Sequence, residues 1–455
     1  MRALAARVAL RLLVVAALAA AFVAGPAPSA FAHAGLESSD PAAGSSVPAS
    51  PRHIVLVFSE DPDAELSLVR VLDATGATVP GVSAPQTVPG EGLRLRVTPA
   101  RPLADGVYTV NWRVVSAVDG HVEKGAFAFG VGEKPAPGSE VVVELLHTSP
   151  WITAVATAGK WLLYVSLVLL VGAAATSLLV YGGRLPAGGT TVLRVSAVFG
   201  VAGLCLMVWT QRILVGAPRL LPLFLTREGK LLLALGVALL VCIGAVVAAD
   251  LWPARWSLWL LGAAGAAAML VHVVGGHAAS PSSLWLVNIA VQWVHLTAIG
   301  VWVGGLFWLL LGLRGMERAE RAAVVAAFTR VATVTLVIVL ATGLARAFGE
   351  VGSISALFDT GYGVTLLVKI GLVAGLVALG ALNHFAWAPA VRRGDDGPAA
   401  RRFGLDSRGE LVVALCILAA TAVLSGLAPA PAAVAKPAPP AASTAPTVSL
   451  TERIL

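Results

Sequence analysis

Three residues in the N-terminal part of the chain could together hold a metal ion. His33 directly follows the tripeptide AFA (30–32), which has the A-x-A form of a signal-peptidase site. Cleavage after Ala32 would make His33 the N-terminus and add a free amine to its imidazole. Asp119 and His121 are two residues apart, so in a strand both side chains point to one face. The resulting set of three nitrogens and one oxygen suits square-planar or tetragonal Cu(II).

Two other interpretations fit the same residues. Zinc also binds imidazole and carboxylate groups, but it prefers a tetrahedral arrangement. Asp-Gly is a common turn dipeptide, so the stretch VDGH (118–121) could simply connect two strands. The metal hypothesis therefore depends on His33 becoming a terminus, a signal that is independent of the spacing between Asp119 and His121.

Residues 1–32 have the form of a signal peptide. Three arginines flank or precede the apolar run LLVVAALAAAFVAG, and Pro26 and Pro28 follow that run before the cleavage motif. An uncleaved signal anchor is the alternative, but helix-breaking residues directly before a well-formed motif favour cleavage. We therefore expect residue 33 to begin an exported domain.

Residues 33–132 have the pattern of an all-β domain, in which short apolar segments alternate with turn signals. The clearest predicted strands are 53–60, 66–74, 93–99, 106–116 and 125–131. In the fourth of these, alternate residues from Tyr108 to Val114 fall on one face. About 100 residues of such strands predict a small β-sandwich, Ig-like or cupredoxin-like.

After a predicted linker, 133–148, the chain changes to long apolar runs. The whole sequence is 57% hydrophobic and only 13% charged, whereas soluble domains carry about 25% charge. Eight runs within 149–430 are long enough to span a bilayer, which takes about 20 residues. They lie at 152–181, 191–211, 230–249, 256–276, 284–311, 324–345, 364–386 and 409–428. The Pro/Ala-rich tail, 431–455, is predicted to be disordered.

The distribution of charge predicts how the chain is oriented in the membrane. The net charge is +7, but residues 33–133 hold 12 acidic and 7 basic side chains, so the basic excess lies elsewhere. With the β-domain outside, 11 basic residues fall in inner loops and 5 in outer loops, as the positive-inside rule requires. The sequence thus predicts a multi-pass protein of the cytoplasmic (plasma) membrane, with the β-domain and tail outside. The basic residues serve topology, and nothing indicates nucleic-acid binding.

Four histidines are candidates for a path across the membrane. His277 lies at the outer end of the fourth predicted span, His272 is five residues deeper, His295 is near the middle of the fifth, and His384 is near the inner end of the seventh. An ionisable group inside a bilayer is costly unless it is paired or hydrated, so such residues indicate function. A histidine at a boundary can also simply be solvated. Histidines on neighbouring helices could instead ligate haem b.

Two stretches resemble a known family. HAGLESSDPAAGSSV (33–47) and GVYTVNWRVVSAVDGHVEKGAFAFGV (106–131), with the spans that follow, resemble a CopC–CopD fusion. This bacterial copper-homeostasis family joins an exported copper carrier to a membrane protein, and HLTAIGVWVGGL (295–306) resembles the CopD signature. The resemblance implies a Cu(II) site formed by the amine and imidazole of His33 with Asp119 and His121. It also implies that Glu60 lies near the amine.

The sequence departs from some members of that family in one respect. Some CopC domains carry a methionine-rich loop for Cu(I), but residues 33–133 contain no methionine. Because the soft thioether ligands that select Cu(I) are missing, we expect one Cu(II) ion in the exported domain and no separate Cu(I) site.

The function favoured by these observations is copper binding and transport, without enzymatic activity. The exported domain would capture Cu(II), and the membrane domain would move copper inward, since no ATP-binding loop indicates a primary pump. The expected partners are the copper ion, the lipid bilayer and an extracytoplasmic copper donor. The alternatives are a haem-binding membrane redox protein, a copper oxidase, and copper resistance by extracytoplasmic sequestration.

Overall fold

The computed structural model describes residues 36–427, apart from 60, 89, 118–121, 137, 139, 141–149, 215–219, 253, 277–283, 315, 352–355 and 395–396. The chain forms two compact units, one built of strands and one built of helices. Each unit is described by itself.

The β unit contains eight strands in the described residues. They are β1 (Leu36–Asp40), β2 (Ser46–Val47), β3 (Ile54–Phe58), β4 (Leu68–Leu72), β5 (Gln86–Val88), β6 (Glu91–Val97), β7 (Gly106–Val115) and β8 (Val122–Val131). One sheet has the order β1-β3-β6-β5 and the other β2-β8-β7-β4. All neighbours are antiparallel except the short β2, which is parallel to β8. The predicted sandwich is therefore confirmed.

The core of the sandwich comes from alternate residues of strands in both sheets. Ile54, Leu56 and Phe58 of β3 face the apolar side of β7, where Tyr108, Val110, Trp112 and Val114 share one face as the alternation predicts. All seven side chains are buried. The short strands β1, β2 and β5 were not predicted, because their residues are mostly polar or exposed and show no apolar period.

The helical unit consists of long apolar helices and a few short ones. The helices are α1 (Pro150–Leu179), α2 (Gly189–Leu214), α3 (Leu220–Leu225), α4 (Arg227–Leu251), α5 (Arg255–Val274), α6 (Trp285–Ile299), α7 (Gly305–Gly312), α8 (Arg318–Val351), α9 (Ala356–Asp359), α10 (Gly361–Leu382), α11 (Ala388–Arg392) and α12 (Pro398–Leu424). Two π-helical turns, Gly300–Gly304 and Asn383–Trp387, join α6 to α7 and α10 to α11.

Eight helical runs in the described residues are long and apolar enough to cross a membrane, which confirms the predicted number. In chain order, spans 1 to 8 are α1, α2, α4, α5, α6 with α7, α8, α10 with α11, and α12. Span 8 begins at Pro398, eleven residues before the predicted start at 409. The added turns are polar in sequence but amphipathic, because Phe403 and Ser407 are buried against neighbouring helices.

Spans 1 and 5 cross in close contact through glycine. A Cβ atom added at Gly304 would overlap the carbonyl oxygen of Val168, and one added at Gly172 would overlap the backbone of Gly304. Small residues let helix backbones approach in a membrane, where van der Waals packing drives association. This crossing fixes span 5, and with it His295, against span 1.

We predict that Gly304→Ala lowers the stability of the full chain by about 1–3 kcal/mol, the usual cost of overpacking. The matched control is Gly371→Ala in span 7, where an added Cβ meets nothing within 4 Å. The measurement is the melting temperature of each detergent-purified variant. Equal melting temperatures for the two variants would contradict the close crossing.

Candidate metal centre

The four residues predicted for the exported site, His33, Glu60, Asp119 and His121, lie outside the described residues. Their described neighbours in the chain are held in defined positions. The pairing of these neighbours is therefore the observation that bears on the site.

The strand pairs that flank the predicted ligands end at the same edge of the sandwich. In the antiparallel pair β1 and β3, Leu36 lies opposite Phe58. The chain before Leu36 and the chain after Phe58 therefore leave their sheet at one edge. Strands β7 and β8 pair until Val115 lies opposite Val122, where the connection 116–121 begins.

A short segment after β3 links that edge to β7. The N–H of Asp63 donates to the carbonyl of Val115 at 2.8 Å, and the N–H of Ala117 donates to the carbonyl of Asp61 at 2.7 Å. These bonds hold residues 61–63 beside 115–117, with Pro62 opposite Ser116. The immediate neighbours of position 60 are thus fixed next to the start of the segment that contains 118–121.

An aromatic pair packs beneath this edge. The rings of Phe58 and Trp112 meet edge to face, with centroids 5.4 Å apart, and such a pair contributes about 0.5–1.5 kcal/mol beyond its burial. Gly125 lies opposite Trp112, and a Cβ there would be 2.6 Å from the indole ring. The last described residue of β3 is therefore anchored directly to β7.

No group of three or more His, Cys, Asp or Glu side chains is placed to hold a metal ion within the ranges that the structure describes. His53, the one described histidine of the β unit, is exposed, and its Nδ1 lies 3.0 Å from the hydroxyl of Thr98. It is a surface residue with a structural partner, and it offers a matched control for histidine substitutions in this unit.

His272 lies in a polar cluster near the end of span 4. Its Nε2 is 2.9 Å from the hydroxyl oxygen of Tyr164 in span 1, and the rings meet edge to face at 5.1 Å. Lys160, one turn earlier in span 1, donates from Nζ to the carbonyl of Ser425 at 3.0 Å. Glu228, in the first turn of span 3, acts electrostatically on Lys160. We call these five residues the outer cluster.

His295 is buried between spans 5 and 6, with 8% of its surface exposed. Its Nδ1 lies 2.8 Å from Oγ1 of Thr342. The Thr342 hydroxyl donates to the carbonyl of Ile338 at 2.6 Å, so its oxygen accepts a hydrogen from Nδ1. In this assignment the neutral ring carries its proton on Nδ1 and presents a lone pair at Nε2. A partner on one ring nitrogen is typical of histidines that bind metal through the other.

A glycine lies on one side of the His295 ring, and two positively charged side chains act on the ring as well. A Cβ added at Gly343 would lie 3.2 Å from Cε1 of His295, so this glycine leaves room for the ring. Lys369 of span 7 and Arg346 of span 6 are the charged groups that act electrostatically on the ring. The imidazole thus lies in a positive environment within the membrane-spanning helices.

His384 lies in the second π-helical turn and is half-buried, with its ring against Phe385. It is adjacent in sequence to Asn383, whose amide contacts Ser407 and Glu410 of span 8. The fourth predicted path residue, His277, falls outside the described residues. The three described histidines therefore lie on spans 4, 5 and 7, each with different partners, and no described contact joins one to another.

The side chains that hold or surround these histidines were not predicted from the sequence. Tyr164 and Thr342 carry no distinguishing pattern, because which neighbours they meet depends on how the helices pack. Glu410 had a visible signal, since it is a carboxylate directly before the apolar run LVVALCILAATAVL. It was not singled out, because it lies beside the predicted start of span 8 at 409.

We predict that Thr342→Val lowers stability by about 0.5–1.5 kcal/mol, because it removes the Thr342 hydroxyl from the buried ring of His295 and leaves the carbonyl of Val339 as the acceptor beside it. Thr335→Val is the matched control, since the Thr335 hydroxyl bonds only carbonyls of its own helix. Melting temperatures of the two detergent-purified variants provide the measurement. If Thr335→Val is as destabilising as Thr342→Val, the bond to His295 does not set the position of the ring.

Comparisons with known proteins match the two units separately. The CopC domain model matches residues 36–132. The model of Copper resistance protein D, CopD, matches residues 322–424, which include most of span 6 and all of spans 7 and 8. The CopD match contains His384 and begins after His295.

Individual relatives are named as copper transport or copper resistance proteins. The copper transport protein CutJ of Bacillus subtilis (strain 168) is 26% identical over 389 residues, which is 80% of this chain and 70% of CutJ. Copper resistance protein C of Xanthomonas campestris pv. juglandis is 38% identical over 110 residues, 23% of this chain and 83% of that protein. The crystal structure of CopC from Methylosinus trichosporium OB3b matches at 31% identity, covering 23% of this chain and 100% of that chain, with a TM-score of 0.21.

Proposed function

Because the chain belongs to the CopC family and carries a CopD domain in the same polypeptide, we propose that it captures Cu(II) outside the cell and moves copper inward across the cytoplasmic membrane. The observation that carries this proposal is the joining of the two domains in one chain. A carrier for copper and a multi-pass membrane unit are thereby kept together at a fixed one-to-one ratio.

Capture is assigned to the edge of the sandwich where β1, β3 and the β7–β8 connection end. The proposed ligands are the amine and imidazole of His33 with Asp119 and His121, and Glu60 is proposed to lie near the amine. Connectivity supports this choice. His33 is three residues from Leu36, and an extended residue spans at most about 3.6 Å, so His33 lies within about 11 Å of the end of β1. The ligands thus belong to segments whose described neighbours meet at one edge.

The membrane path is assigned to His272, His277, His295 and His384. With the exported domain outside, the ends of spans 1, 3, 4 and 8 that form the outer cluster face the same side as the captured copper. His272 is then the described histidine nearest the entrance. His384 lies toward the inner end of span 7, and His295 lies between these levels on span 5.

His295 is proposed as the control point of the path. Its Nε2 lone pair is a suitable ligand for copper, but Lys369 and Arg346 repel a cation that approaches it. Repulsion between like charges is strong where water is excluded, so copper would bind weakly to His295 and would not accumulate at this level. Inward movement is favoured because a capture domain outside the membrane serves uptake.

We predict that the exported site requires His33 as the N-terminal residue. Insertion of one alanine between Ala32 and His33 moves the amine away from the imidazole and removes one nitrogen ligand. The affinity for Cu(II) should fall by more than about 100-fold, since even the loss of a group that only supports a ligand costs 10–100-fold. The measurement is a Cu(II) titration of the purified full chain followed by EPR, with the N-terminus verified by mass spectrometry.

The control for this titration is His53→Ala, which removes an exposed histidine of the same unit and should leave the spectrum unchanged. His121→Ala should reduce the number of coupled nitrogens by one. An unchanged affinity and spectrum in the chain with the inserted alanine would show that the N-terminal ligand hypothesis is wrong.

We further predict that His295→Ala abolishes most copper accumulation by cells that express the chain, while Cu(II) binding by the exported domain persists. The measurement is cellular copper by mass spectrometry, normalised to the amount of protein in the membrane. The control is Cys205→Ser, a change in span 2 at an exposed position. Full accumulation in the His295→Ala variant would remove this residue from the path, and a Soret absorption band that follows the purified wild type would favour the haem alternative.

A further inference from the structure

A second polar cluster lies between spans 7 and 8, and none of the proposed copper ligands belongs to it. Glu410 of span 8 is 4% exposed, Asn383 of span 7 is 5% exposed, and Ser407 is fully buried. The Asn383 amide nitrogen donates to Oγ of Ser407 at 3.0 Å and to a carboxylate oxygen of Glu410. We call Asn383, Ser407 and Glu410 the inner cluster.

The charge of Glu410 has no cation to balance it in the part of the chain that the structure describes. No nitrogen of Lys, Arg or His forms a salt bridge with it there. A buried carboxylate without a cationic partner is costly, so a proton or a bound cation must neutralise it for much of the time. The cluster therefore indicates a site for a positively charged ligand.

Few charged groups near Glu410 could bind a proton in its place or neutralise its charge. Asp406, one turn earlier in span 8, is the charged neighbour that acts on it, and Trp387 donates to Asp406 at 2.6 Å. The titratable and charged side chains on the elements packed around span 8 are Lys160, Tyr164, Tyr181, Arg314, Arg321, Tyr362, Lys369, His384 and Arg392. Lys160 bonds at Ser425, fifteen residues along the chain from Glu410 and so about 22 Å away at 1.5 Å per residue.

Asn383 provides a second, independent indication that a ligand binds here. Its Oδ1 is buried and has no hydrogen-bond partner among the described residues, which is rare and costly for a buried polar atom. The amide can serve both protonation states of Glu410 by turning over, because it offers donors on one side and an acceptor on the other. With an ionised Glu410 the nitrogen faces the carboxylate. With a protonated Glu410 the oxygen can accept the new O–H and the hydroxyl of Ser407.

The donor set argues for a proton over a metal ion. Oxygen and amide groups are poor partners for Cu(I). Three side chains are also fewer than the six or more oxygens that hard cations such as Ca²⁺ require. A proton needs one carboxylate oxygen only, and Asp406, which is half-exposed and one turn toward the inner end, offers a carboxylate between water and Glu410.

We propose that Glu410, held by Asn383 and Ser407, is a proton-binding site that couples proton movement to copper movement. The step is the reversible transfer of one proton from water at the inner face to a carboxylate oxygen of Glu410. Asn383 is the first residue of the π-helical turn that also contains His384, so a change in the amide reaches a proposed copper ligand one residue away. The coupling rests on the proposed transport function, whereas the proton site does not.

The test uses the full chain in liposomes and two readouts. The first is an infrared difference spectrum between mildly acidic and alkaline pH, a range above the ordinary pKa of exposed Asp and Glu, in which the wild type should show the carbonyl band of a protonated buried carboxyl group. Glu410→Gln, which keeps the shape and the contact to Asn383, should lose that band. The control Glu317→Gln changes an exposed carboxylate outside the spans and should retain it.

The second readout is copper uptake recorded together with internal pH by a trapped fluorescent dye. In the wild type and in Glu317→Gln, copper uptake should depend on pH and be accompanied by proton movement. Glu410→Gln should lose both the proton movement and the pH dependence, while its melting temperature stays close to that of the wild type.

The outcomes separate the two proposals. If the band is the same in wild type and Glu410→Gln, the proton site is overturned whether or not copper moves. If the band depends on Glu410 but wild-type liposomes take up no copper, the transport function fails and the coupling with it, while the site stands. Copper uptake that depends on sodium and not on pH, and that is lost in Glu410→Gln, would overturn the proton assignment.

Discussion

The membrane unit depends on one constraint: a polar side chain inside the bilayer must find its hydrogen-bond partner within the protein. The bond between His295 and Thr342 joins span 5 to span 6, and that between Tyr164 and His272 joins span 1 to span 4. Such bonds are worth about 0.6 kcal/mol on average in a membrane protein. Their larger effect is to fix the rotation of each helix, because a span turned away from its partner would present the polar group to lipid.

The β unit meets a different constraint, since its predicted ligands come from three separate segments. The apolar core between the sheets holds β3 against β7, and Phe58 packs on Trp112 at the edge where those segments begin. Backbone bonds between 61–63 and 115–117 then cross from one sheet to the other. A site on loops gains precision from rigid elements beneath it, and here these contacts make the supporting edge a continuous structure.

Sequence periodicity was sufficient to predict the longer strands and helices, but not which side chains they bring into contact. Alternation from Tyr108 to Val114 predicted the buried face of β7, and the apolar runs predicted eight spans. The short strands β1, β2 and β5 bury too little apolar surface to show a period. Glu410 and Thr342 were missed for another reason, because the same amino acid is a boundary residue or a buried partner depending on which helix packs against it. The resemblance to a known family supplied the copper chemistry that the spacing of Asp119 and His121 left open.

The two π-helical turns affect how this chain can be compared with its relatives. An i→i+5 bond encloses one residue more than the α-helical i→i+4 bond, so each such turn carries one extra residue in the helix. Each residue advances an α-helix by about 100°, since a full turn takes 3.6 residues. A homologue with a regular helix in place of Gly300–Gly304 or Asn383–Trp387 will therefore align correctly only with a one-residue gap. Without that gap, every position after the turn would be assigned to a helix face rotated by about 100° from its true one.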